Sequence, residues 1–166
     1  MTWALAAALV CIVLAGAPCA AACYDRDASG RQTRFTLRGE DAFDTKTGLT
    51  WKRCGLGARW AGDTCEGEPA RVSLDDAKKA ASALGEGWRA PSGPELQSLI
   101  DQTCGEPVVD AAVFADIRPN DEGAAPYWTT NAAGVAGLFY FFDFIDGSAD
   151  AHSPGFHLLV RFVSKR

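Results

Sequence analysis

The residues able to do chemistry begin with the cysteines. Cys23, Cys54, Cys65 and Cys104 follow an opening stretch that also holds Cys11 and Cys19 but carries no charged side chain through residue 23. Zinc ligands come in close pairs two to four residues apart, and these four cysteines are spaced far more widely. Two disulfides are the better use of them. Cys54 and Cys65 enclose a loop of about 12 residues, and Cys23 with Cys104 is the remaining pair, closing about 80. An even number of cysteines left after export is the pattern of a disulfide framework.

Other candidates are polar or aromatic. Asp116, Asn120, Asp121 and Glu122 supply hard oxygen donors on one irregular segment, the chemistry of a Ca²⁺ site, but without EF-hand spacing. Asp143, Asp146 and Asp150 fall near His152. For both groups a solvated acidic turn is the simpler reading, so no metal site is assigned and calcium stays a secondary possibility. Trp60, inside the Cys54 to Cys65 loop, is the best candidate for stacking on a sugar ring. Trp51 and Trp128 sit on strand patterns and belong to a core. Arg89 has the fork to bind a carboxylate ligand, although an internal acid is its more common partner. The candidate ligand-binding set is therefore Trp60, Arg89, Asp121 and Glu122.

Enzyme chemistry finds few parts. His152 and His157 are the only histidines, and no H-E-x-x-H, G-x-S-x-G or phosphate-cradling glycine motif occurs. A carboxylate-pair hydrolase stays open as a lesser alternative, because any of 21 acidic residues could meet in space.

The elements that must position these residues start after the leader. Residues 1–22 run apolar from Trp3 through Leu14 and end in Ala20-Ala21-Ala22, which reads as a signal peptide. No Lys or Arg precedes the run, and its length also suits an uncleaved anchor. Gly16, Pro18 and the small-residue ending favour cleavage after Ala22. Lipidation of Cys23 would need a large aliphatic residue where Ala20 stands. The chain is thus expected to be secreted or periplasmic, with no stable membrane insertion once the leader is removed. The net charge of −5 and pI near 5.0 supply no basic field for nucleic acid.

Residues 23–40 form an N-terminal extension, polar and extended from Asp25 to Gln32, with a short strand at Phe35 and Leu37. Phe43-Asp44 and Leu49-Thr50-Trp51 flank a turn closed by Gly48, a β-hairpin. Ser73 with Asp76 opens a helix carrying Leu74, Ala77, Ala81 and Leu84, and Gly85 ends it. Ser92 with Glu95 opens a second helix, with Pro94 in its first turn and Leu96, Leu99 and Ile100 as its buried stripe. Each should run about three turns and lean on a sheet. Residues 105–125 read as a long irregular segment, functional or mobile. Strands return at Tyr127 to Thr130, Leu138 to Phe144 and Leu158 to Val163, with a turn at Asp146-Gly147. The order predicts an α+β domain: two short helices packed on a small antiparallel sheet, with long loops.

Read together, several motifs carry a resemblance. They are Asp44-x-x-x-Gly48-Leu49-Thr50-Trp51-Lys52-Arg53-Cys54, then Gly57-x-x-Trp60-x-Gly62-x-Thr64-Cys65 and Trp88-Arg89-Ala90-Pro91 with Glu95-Leu96. Cys104 before Pro107, Tyr127-Trp128-Thr129-Thr130 and Val160-Arg161 complete the series. The chain resembles the Lcl C-terminal domain family, a bacterial exported module named for a collagen-like adhesin, over residues 41–166. The resemblance implies a C-type-lectin-like topology and, for the namesake, binding of sulfated glycosaminoglycans. Three departures bear on packing and on any ligand surface: Ala90 where the family has Leu, His157-Leu158-Leu159 where it has an aromatic, and the aromatic run from Phe139 to Phe144. The acidic balance argues against a polyanionic ligand. The expected function is non-enzymatic recognition of a carbohydrate or protein ligand at the cell envelope, with a structural protein docked to a partner as the second reading.

Overall fold

The computed structural model describes residues 23–165 apart from positions 25, 28 and 86; the leader assigned to residues 1–22 lies outside the described residues. Among the described residues, nine short strands and two α-helices make an α+β fold in which every strand pair is antiparallel. β1 (Phe35–Arg38), β2 (Asp41–Asp44), β3 (Leu49–Lys52) and β9 (Val163–Ser164) form one sheet in that order. β4 (Arg59–Trp60) and β5 (Cys65–Glu66) make a small ribbon, and β6 (Pro126–Ala132), β7 (Phe139–Asp143) and β8 (Ala149–His152) a three-stranded sheet.

The β2–β3 hairpin pairs Asp44 with Leu49 and Ala42 with Trp51, and Gly48 takes φ +70° in its turn. Alternation along these strands buries Ala42, Asp44, Leu49 and Trp51 on one face. A buried carboxylate on that face requires a cation. Arg34 supplies it, donating Nε to Asp44 Oδ1 at 3.0 Å and Nη2 to Oδ2 at 2.7 Å.

α1 (Leu74–Ala83) starts at Ser73, whose Oγ accepts the Asp76 N–H at 3.1 Å. Its stripe buries Leu74, Ala77 and Ala81, but Leu84 is the C-cap and lies exposed. The small alanines let this helix settle on Trp88, Val160 and Phe162, while Leu74 packs on Trp128 of the three-stranded sheet. α2 (Gly93–Leu99) has seven residues, two turns and not three, because its last predicted position, Ile100, turns to extended backbone as the C-cap. It packs against β6 and β7.

Three further expectations are corrected. The lead-in is a tight loop and not extended: Arg26 bridges Gln32, and Asp27 accepts from Ser29 and Arg31. The sheet is divided into three because Leu158 to Val163 does not run as one ladder strand. Its backbone bonds successively to Val72, β6, Leu56, Lys52 and Arg89, so it serves as a central seam. The middle of the segment at residues 105–125 enters the core, while residues 121–123 stay exposed. Val108 is buried, and Val109, Val113, Phe114 and Ile117 are buried in one cluster with Trp51, Leu96, Leu99, Tyr127 and Phe144. An irregular segment at depth must satisfy its backbone and charges, and two arginines do so here. Arg53 donates to the carbonyls of Ala112 and Val113, and Arg161 pairs with Asp116.

Both disulfides are present, Cys23–Cys104 and Cys54–Cys65. Among the described residues no helix is long and apolar enough to cross a membrane.

Candidate functional site: an aromatic and acidic cleft

Strand alternation places Phe139, Phe141 and Asp143 on one face of β7, and the antiparallel register sets Asp150 opposite Phe141 and His152 opposite Phe139. This face forms one wall of a cleft of about 640 Å³, within the range of small-ligand sites. Asn120 to Glu122 form a second wall, and Phe156 to Leu158, with Arg71, a third.

Each wall is held by local bonding. In the second, Asn120 Oδ1 accepts the N–H groups of Glu122 at 3.0 Å and Ala124 at 2.8 Å, and Gly123 takes φ +81° to close the turn. That turn leaves the Asp121 and Glu122 side chains exposed. Asp143 Oδ1 accepts from Ala125 at 2.9 Å and Ile145 at 2.8 Å, tying the end of the core segment to β7. In the third wall, Ser153 N–H donates to His152 Nδ1 at 2.9 Å, and the His152 ring stacks on Phe156 with centroids 3.6 Å apart and planes 14° apart. The Val72–Leu158 bridge fixes the chain beside Arg71.

Four carboxylates, Asp121, Glu122, Asp143 and Asp150, line the cleft with one guanidinium, a formal −3 with both imidazoles neutral. None of the four carboxylates forms an ion pair with a described Lys or Arg. Flat aromatic surface plus carboxylate acceptors is chemistry that takes hydroxyl-bearing or cationic ligands and repels polyanions.

The fold brings together two acidic groups that look separate in the sequence, Asp121 with Glu122 and Asp143 with Asp150. Two of their neighbours leave. Asp116 is buried against Arg161, and Asp146 caps Ser148 at 2.8 Å. Among the described residues no three His, Cys, Asp or Glu side chains converge closely enough to hold a metal ion.

Trp60 and Arg89 sit elsewhere. The Trp60 ring is half-buried under the Arg53 guanidinium, 3.5 Å from its centroid, and borders a separate cavity of about 140 Å³ with Leu56, Leu84 and Phe162. The Arg89 fork is occupied by Glu95, through bonds of 2.7 and 2.5 Å. Burial acts to raise the Glu95 pKa, but the Arg89 bonds and the Ser92 N–H outweigh it and hold the carboxyl down at about 2. Sequence reasoning missed Phe156 and Arg71 as neighbours of the acidic turns.

A disulfide-stapled α+β domain with a cleft on one sheet face is the class that these observations define. The sequence matches the Lcl C-terminal domain family over residues 41–164, most of its length, and the chain belongs to that family. No curated protein matches it.

Proposed function

We propose that the chain is an exported, non-enzymatic recognition module that binds a carbohydrate or protein ligand at the cell envelope through the Phe141–Phe156 cleft. The observation that carries this reading is the assembly of that cleft. Two acidic segments and a stacked aromatic pair, distant in sequence, share one concave surface on a rigid frame. The implied C-type-lectin-like character belongs to the same reading: irregular segments carry the ligand while disulfides and buried ion pairs hold the frame.

Export is supported by the two disulfides, which persist in oxidising compartments, and by the apolar leader ending in small residues. A binding role is supported by the charges: the cleft gathers four carboxylates, none of them paired with a described Lys or Arg.

A glycan array and an envelope pull-down with the oxidised chain test the proposal. Phe156→Ala should abolish the specific hits, whereas Trp60→Ala, in its separate cavity, should leave them. Retention of every hit by Phe156→Ala, or their loss in Trp60→Ala alone, places recognition elsewhere. Turnover of a bound glycan that depends on an acidic pair would replace the reading with a hydrolase.

A further inference from the structure

We infer that the ligand of this cleft is a cationic amino sugar, a hexosamine with free ammonium groups; the inference rests on the recognition reading above. The aromatic surface comes first. Phe156 is 47 % exposed, a large apolar ring left toward water, yet it is not loose, because the His152 ring lies parallel against it. Stacking of this kind fixes the ring before any ligand arrives and so lowers the ordering cost of binding. A pyranose offers an apolar C–H face to such a plate, and an ammonium beside it gains from the negative face of the aromatic ring.

The charges select the class. Among the described residues, ten other acids hold a Lys or Arg partner, among them Asp44, Glu95, Asp110 and Asp116. The cleft gathers four that do not. Asp121 accepts no hydrogen bond from a described residue, and Glu122 has only Asn120 Nδ2 at 3.4 Å. Asp143 and Asp150 each use Oδ1 on backbone N–H groups and keep Oδ2 uncommitted. Every residue of the cleft is described, and its acids are too dispersed to enclose a metal ion. Dispersed carboxylates around an aromatic plate match a ligand whose cationic groups are themselves spaced along a ring-bearing chain. A neutral sugar would leave the formal −3 uncompensated, and a sulfated one would add to it.

The test is calorimetric titration of the oxidised chain with a β-1,4-glucosamine tetramer, its fully N-acetylated counterpart and tetralysine. The free-amine tetramer should bind at least tenfold tighter than the acetylated one, and added salt should weaken it. Asp121→Asn with Glu122→Gln should cost fivefold or more; Phe156→Ala should cost tenfold or more, while Phe156→Tyr keeps affinity. Equal binding of the two tetramers, still lost in Phe156→Ala, overturns the amino-sugar class and leaves the recognition reading standing. Tetralysine bound as tightly, with no loss in Phe156→Ala, reduces the effect to charge and overturns the inference. If neither tetramer binds while array hits remain sensitive to Phe156→Ala, only the class falls; if no ligand is sensitive to it, the recognition reading falls too.

Discussion

Arg161 and Asp116, 45 residues apart, form an ion pair with both side chains out of contact with solvent. The same Asp116 accepts the Gly55 N–H, and the same Arg161 donates to the carbonyls of Lys52, at 2.9 Å, and Arg53, at 2.6 Å. The pair thereby joins the core segment, the central seam and the residue after Cys54 at one point. Burial disfavours the Arg161 charge, but Asp116 raises its pKa above the ordinary guanidinium value; burial pushes the adjacent Tyr127 hydroxyl up to about 12.

Asp116→Ala should destabilise the fold by about 3–5 kcal/mol, since it leaves a buried cation without its counter-charge. Urea denaturation measures this. The double variant Asp116→Leu with Arg161→Met should cost less than the two single changes combined, because no charge is then stranded. Simple additivity would mean that the two residues act independently.

The disulfides should differ in worth. On the chain-entropy model, replacing Cys54 and Cys65 by alanine removes about 3 kcal/mol, and replacing Cys23 and Cys104 removes about 4.5 kcal/mol, because the second closes the longer loop. The expected order of denaturation midpoints is wild type, then the variant without Cys54–Cys65, then the variant without Cys23–Cys104. Mass spectrometry of native material should find no free thiol among these four cysteines.

Glu95 predicts a specific acid response. Its folded pKa, about 2, lies below the ordinary 4.5, so its stabilising contribution is complete above pH 4.5 and is lost as pH falls from there toward 2. The side chain is partly exposed and screened, so the effect is modest. Difference titration of stability between wild type and Glu95→Gln should show a gap that narrows across that window. A constant gap from pH 6 to pH 2 would show that the capping bond and not the charge is responsible.

Gly57 takes φ +94°, and a Cβ there would lie 2.8 Å from Ala70 N and 2.9 Å from Glu68 O. Both contacts are backbone and neither can swing away. Gly57→Ala should therefore cost about 2 kcal/mol or more from strain alone. Thermal melts check this, and an unchanged midpoint would mean that the disulfide loop rearranges freely around position 57.

Much of the local structure is legible in the residues themselves. The caps at Ser73 and Ser92, the Gly48 turn and the alternation of β2 and β3 depend on neighbours a few positions apart, and each forms as expected. Family membership follows from spaced motifs of the same kind. The burial of Trp51 and Trp128 was equally readable from strand patterns.

Contacts between distant segments were decided only by the tertiary structure. Residues 105–125 lack periodicity, so nothing local marks their middle as core; Arg53 and Arg161 make it so by meeting its carbonyls and Asp116. Arg89 reads from the sequence as holding an internal acid more often than a ligand, but only the fold identifies that acid as Glu95, six residues on. The cleft is the strongest case. Asp121 and Asp150 come to line one cleft because a turn anchored in the core rests beside a strand face, and a one-dimensional pattern fixes which face a side chain takes but not what lies opposite it.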